Sequence, residues 1–113
     1  MSEKPALADA HERALIEGRV IETLRTVFDP ELPVNIYELG LIYDVRVRED
    51  RHVDVDMTLT APSCPVAGTL PGEVERKVYD TEGVESAHVE LVWDPPFRME
   101  NMSEEVRLEL GLL

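Results

Sequence analysis

Apolar residues at Ile16, Val20, Leu24 and Val27, with Ile21 and Phe28 beside them, fall at the spacing of one helical face and predict a helix from Ala14 to Phe28. It stops near Asp29, because Pro30 disfavours helical backbone in the residue before it and Pro33 repeats the block. The stretch "DPELPVNIYELGLIYD" then reads as a loop, long for a small domain, and such loops are often functional. From Tyr43 the pattern becomes alternation. Tyr43, Val45 and Val47 alternate with Asp44, Arg46 and Arg48; after the polar "EDR", Val53, Val55, Met57 and Leu59 alternate with Asp54, Asp56, Thr58 and Thr60. These are two strands of a hairpin with one buried face.

Beyond Cys64, the residues Val66, Leu70, Val74 and Val78 recur every four positions and predict a second helix, which Pro71 and Gly72 kink or reset. Gly83 suits the turn after it. A third strand carries Ala87, Val89, Leu91 and Trp93 on one side and Ser86, His88 and Glu90 on the other; it ends at "DPPF", where prolines cannot donate to a ladder. Asn101 and Glu104 stand at capping-box spacing ahead of a short C-terminal helix that Gly111 stops. The order predicts an α+β fold, a small sheet made of the hairpin plus a third strand, packed by two helices. Residues 1–13 lack periodicity and read as a flexible N-terminal extension, with the domain spanning 14–113.

Composition narrows the function. The chain has 113 residues and a formal charge of −13, which works against nucleic acid and against an anionic membrane. No apolar run approaches the roughly 20 residues of a membrane span. The N-terminal stretch lacks the apolar centre of a secretory signal, so the expected setting is the reducing cytoplasm. There Cys64, the one cysteine, stays a free thiol.

Cys64 sits in "TLTAPSCPVAG", between two prolines at the end of a strand. With Pro65 at the first helical position, the thiol falls at or next to the N-cap, facing free N–H groups and the positive end of the helix dipole. Both favour the thiolate, the form that binds soft metals. The competing reading is a small buried apolar residue, the commoner fate of a lone cysteine; the flanking prolines balance the two by presenting the middle of the segment. Asp29 and Glu31 offer carboxylates, although acids beside prolines are also ordinary turn residues. Thr60 can donate to a ligand at the strand end or cap the following turn. His11, His52 and His88 are scattered without ligand spacing and are expected to face solvent. Trp93 is expected to pack in the core or at its rim. No Gly-rich phosphate loop or serine-nucleophile motif is present.

"DPELPVNIYELGLIYDV", "VDVDMTLTAPSCPVAGTLPGEVE" and "GVESAHVELVWDPPFRMENMSEEVRLELG" together resemble the SufT/PaaD-like iron–sulfur cluster assembly domain family. The resemblance runs from about Ala14 to the C-terminus and is closest to the SufT branch, which the tail "VWDPPF" and "MSEEVRLELG" favours. Ser63 stands where these proteins often have glycine. The resemblance implies an accessory factor in the maturation of iron–sulfur proteins, not an enzyme. Cys64 would be the reactive residue and metal ligand, with Asp29, Glu31 and Thr60 as its neighbours. Iron–sulfur scaffold or carrier proteins and client apo-proteins would be the partners.

A cluster normally takes four protein ligands, and this chain has one cysteine, so Cys64 cannot enclose a cluster alone. A homodimer completed by small thiols or carboxylates, or transient handover of iron or a cluster through one labile bond, both meet that limit. Handover is the favoured reading, with docking beside it. Three alternatives stand against it: a PaaD-like accessory protein of an aromatic-ring (phenylacetyl-CoA) oxygenase system, a pure adaptor with a structural Cys64, and a cysteine-nucleophile enzyme. The last lacks a histidine base in the motif segments.

Overall fold

The computed structural model describes residues 7–29, 34–59 and 70–111. Helix α1 is Ala10–Leu24, and the Oδ1 of Asp9 caps it by accepting from Glu12 N–H at 2.8 Å. It thus begins inside the stretch expected to be a loose extension, because Asp9 supplies an N-cap that the apolar periodicity does not register. Its buried residues are Ile16, Val20 and Leu24.

The helix also ends sooner than the apolar spacing suggests. Thr26 turns its hydroxyl back to the Thr23 carbonyl at 2.6 Å, a side-chain bond that competes with helix propagation. Val27 to Asp29 then lie against Val34 to Ile36. Ile36 N–H donates to the Val27 carbonyl at 2.8 Å and Asp29 N–H to the Val34 carbonyl at 3.1 Å, with a β-bridge between Phe28 and Asn35. Tertiary pairing has overridden a helical pattern.

The expected loop contains a short helix, α2, Ile36–Leu39. Asn35 caps it, accepting from Glu38 N–H at 2.8 Å. Gly40 closes it in the left-handed region (φ 89°), with Leu41 N–H reaching the Ile36 carbonyl at 3.1 Å and Gly40 N–H the Tyr37 carbonyl at 3.1 Å. One turn carries too little apolar periodicity to be seen in the sequence; its caps, "N" and "G", were the available signal.

Strands β1 (Ile42–Val47) and β2 (His52–Met57) form the expected antiparallel hairpin, pairing Val45 with Val55 and Val47 with Val53. The turn places Arg51 at φ 68°, and its side chain ion-pairs with Glu12 of α1. Helix α3 (Leu70–Tyr79) returns the chain to β3 (Ser86–Leu91), which lies parallel to β2 and completes the order β1-β2-β3. Pro71 falls in the first turn of α3, where a missing N–H is tolerated. A 3₁₀ turn, Met99–Asn101, leads into α4, Glu104–Glu109. The cap of α4 is Ser103, which accepts from Val106 N–H at 3.2 Å, and not the expected Asn101, whose residue is spent on the preceding 3₁₀ turn.

Helices α1 and α3 pack against each other and cover one face of the sheet, burying Val53, Val55, Met57 and Val89 with Ile16, Val20, Val74 and Val78. The opposite face is polar. Arg46 bridges Asp44 at 2.7 Å and Asp56 at 2.9 Å, and Arg48 lies 2.7 Å from Asp54. His52, expected to face solvent, instead bonds Ser86 at 2.6 Å and Asp54 at 3.1 Å and is largely covered. Trp93 lies beyond β3 and is 42% exposed, so it is a rim residue. None of the described helices is long and apolar enough to cross a membrane.

Candidate functional site

Two segments carry the residues singled out by the sequence: the acidic turn after α1 and the cysteine segment after β2. Asp29 is half-buried at the root of the first, held by its backbone bond to Val34. Glu31, Thr60 and Cys64 lie outside the described residues, as does the expected helix start beside Cys64. The described residues therefore fix where the two segments leave and rejoin the domain.

Those roots are tied together. Thr58 N–H donates to the Leu41 carbonyl at 2.8 Å, Leu41 N–H to Ile36 at 3.1 Å, and Ile36 N–H to Val27 at 2.8 Å. This run of backbone bonds passes from the end of β2 through α2 to the base of the acidic turn. The flanking side chains share one core as well: Val27 and Val34 on either side of the turn, Leu59 and Leu70 on either side of the cysteine segment, all buried. Backbone bonds inside a packed core transmit little slack. The cysteine segment also leaves from the carboxyl end of a strand in a parallel pair, the end at which open α/β sheets commonly place their ligands.

Thr58 adds a chemical detail. Its side chain is fully buried and its Oγ1 has no hydrogen-bond partner among the described residues. A buried hydroxyl without a partner costs about 1–3 kcal/mol, so folds keep few of them. It lies two residues before Thr60, at the head of the cysteine segment. Among the described residues, no group of three or more His, Cys, Asp or Glu is arranged to hold a metal ion.

Asp54 carries a displaced titration. Burial pushes its pKa up, but the hydrogen bond from His52 and the nearby Arg48 charge outweigh it and hold the group below the ordinary carboxylate value. It belongs to the polar face of the sheet, where it contacts Arg48 and His52 of the hairpin.

Sequence reasoning missed a cleft of about 490 Å³ between α2, β1 and the C-terminal segment, lined by Tyr37, Gly40, Tyr43, Pro95 and Asn101 among others. Tyr43 donates to the Pro95 carbonyl at 2.8 Å, and Ser103 N–H to the Glu38 carbonyl at 2.9 Å. Gly40 is pressed so close to this segment that a Cβ there would stand 2.2 Å from the Asn101 carbonyl oxygen. The motif residues "NIYELG" are thus structural: they brace the loop roots against the C-terminal tail.

Comparison with known proteins is consistent across sequence and structure. Residues 17–91 match the model of the family described as "Iron-sulfur cluster assembly protein". An "Fe-S protein maturation auxiliary factor" of Porphyromonas gingivalis is 48% identical over 97 residues, covering 86% of this chain and 92% of that protein. "Fe-S protein maturation auxiliary factor SufT" of Staphylococcus aureus is 35% identical over 86 residues, covering 76% of this chain and 98% of that protein. A crystal structure of a DUF59 domain from Bacillus anthracis superposes with a TM-score of 0.85 at 34% identity, covering 93% of this chain and all of that one.

Proposed function

Because this chain belongs to the iron–sulfur cluster assembly protein family, we propose that it is an accessory factor in the maturation of iron–sulfur proteins, passing iron or a cluster to client apo-proteins through Cys64. The observation that carries this reading is the backbone run from Thr58 to Val27, which roots the cysteine segment and the acidic turn in one rigid frame. A frame of that kind suits a thiolate and carboxylates that must meet the same cargo.

The cargo is a substrate and not a resident group. A single thiolate holds iron or a cluster weakly, and weak attachment permits release to a client with a fuller ligand set. Asp29, Glu31 and Thr60 would steady the cargo beside Cys64, the carboxylates as hard oxygen donors to iron and the threonine as a hydrogen-bond donor. The protein acts without turnover of its own: on handover the bond from Cys64 sulfur to iron breaks as a client ligand's bond to the same iron forms, with no change of oxidation state, and Cys64 returns to its free form. Two chains, each giving one thiolate, would hold a cluster between them during the exchange, with small thiols or carboxylates completing its ligands.

Complementation tests the role. Cells lacking this protein should lose activity of a cluster-dependent hydro-lyase, wild-type protein should restore it, and Cys64→Ser should not. Full restoration by Cys64→Ser would overturn handover through the thiol and leave an adaptor.

A further inference from the structure

A second surface lies on the side of the acidic turn that faces α4. Phe28, in the bridge with Asn35, is 58% exposed, unusual for an aromatic residue pinned on both sides by backbone bonds. Beside it Val34 and Val106 form a buried apolar floor, and the groove between them encloses about 260 Å³. That is below the roughly 300–1,000 Å³ of small-molecule sites and suits one anchoring side chain of a protein.

The rim is acidic: Glu38, Glu105 and Glu109 line the groove. Glu38 is engaged by Arg25 at 3.6 Å, but Glu105 and Glu109 make no ion pair among the described residues. Glu109 lies in the last turn of α4, where the helix dipole disfavours a negative charge. Glu109 shares that turn with Arg107, and its exposed carboxylate stands on the groove rim with Glu105 and the Phe28 ring. Among the described residues these carboxylates form no metal-binding group, and they repel phosphate or an acidic peptide.

We propose that this groove docks a basic segment of a partner protein, one apolar side chain seated against Phe28 and flanking Lys or Arg residues paired with Glu105 and Glu109. The complementarity is local and is reinforced by the chain's net charge of −13, which steers cationic partners toward it. The inference deepens the accessory role by naming a partner surface, but does not depend on Cys64 or on iron. Delivery would then divide between two tasks: the groove selects the partner and Cys64 handles the cargo.

The test is an amide chemical-shift titration of the iron-free protein, in wild-type and Cys64→Ser forms, with a short amidated peptide of alternating leucine and lysine. A peptide with glutamate in place of lysine is the control. The expected result is saturable shifts confined to Phe28, Asn35, Val106 and Glu109, equal in both forms and absent with the acidic peptide. Phe28→Ser, and separately Glu105→Lys with Glu109→Lys, should each weaken binding about tenfold, as loss of an anchor or reversal of two exposed charges implies. All these side chains are surface-exposed or at the groove rim, and retained wild-type shifts elsewhere verify folding. Shifts spread over the polar sheet face, or unchanged affinity in both variants, would overturn the proposal. So would groove shifts that depend only on protein concentration, which would assign the groove to a second copy of the chain. Because Cys64→Ser is titrated in parallel, failure here leaves handover through the thiol standing, and failure of handover leaves the docking result readable.

Discussion

Replacing Gly40 with alanine probes the frame that ties the two functional segments together. Two costs arise at this position. The backbone is left-handed at φ 89°, which an L-residue occupies at a penalty of about 1–2 kcal/mol. The new Cβ would also lie 2.2 Å from the Asn101 carbonyl oxygen, an atom of the main chain that cannot swing aside as a side chain could. Overpacking of this kind costs about 1–3 kcal/mol. Stiffening the unfolded chain returns about 0.4–1 kcal/mol, leaving a net loss of about 1–4.6 kcal/mol. For a domain of this size the melting temperature should fall by about 4–20 °C. Two companion variants separate the contributions. Gly111→Ala meets the same backbone conformation (φ 75°) with nothing within 4 Å of the Cβ, so it should cost about 1 kcal/mol or less. Gly72→Ala lies in the first turn of α3 with open space around it, and should stabilise by up to about 1 kcal/mol. Urea unfolding followed by far-ultraviolet circular dichroism gives all three values. A Gly40→Ala protein within about 0.5 kcal/mol of wild type would refute both the conformational and the steric reasoning.

Other expectations follow from particular contacts. Asp54 is only 7% exposed and contacts both Arg48 and His52, so Asp54→Asn should cost about 1–3 kcal/mol in the same unfolding assay. Its folded pKa is depressed, so the stability it contributes is fully present above its unfolded value of about 3.9 and is lost as pH falls through the lower folded value. Urea midpoints measured below about pH 4 should therefore converge for wild type and Asp54→Asn, and a constant gap at all pH values would contradict the assignment. Ser103→Ala removes the side-chain cap of α4 while sparing the backbone bond to Glu38, and should cost about 1 kcal/mol by thermal unfolding, with an unchanged melting curve counting against the cap.

The sheet was the most legible part of the sequence, because alternation of valine with charged residues leaves one choice of buried face: Val53, Val55 and Met57 turn inward as the pattern requires. The parallel pairing of β3 was not visible, since the same alternation serves either direction and only the α3 crossover decides it. Helix α2 escaped notice because four residues cannot display a helical period, although Asn35 and Gly40 mark both its ends. At α1 the apolar spacing ran on through Val27 and Phe28, which the fold uses instead to brace the acidic turn. Of the candidate site, Asp29 could be placed at that turn's root; the roles of Glu31, Thr60 and Cys64 rest on residue chemistry and family membership. The buried Thr58 hydroxyl and the groove at Phe28 could not have been read from sequence, because both depend on which residues the fold sets side by side.

Anaerobic loading with iron and sulfide, followed by addition of an apo-ferredoxin as acceptor, addresses the handover claim most directly. Visible absorption, bound iron and sulfide, and oligomeric mass would be followed for wild type and Cys64→Ser. Handover predicts colour that requires Cys64, about one cluster for two chains, and its transfer to the acceptor once that is added. Absence of bound iron and sulfide in the wild type, or equal loading of Cys64→Ser, would contradict it.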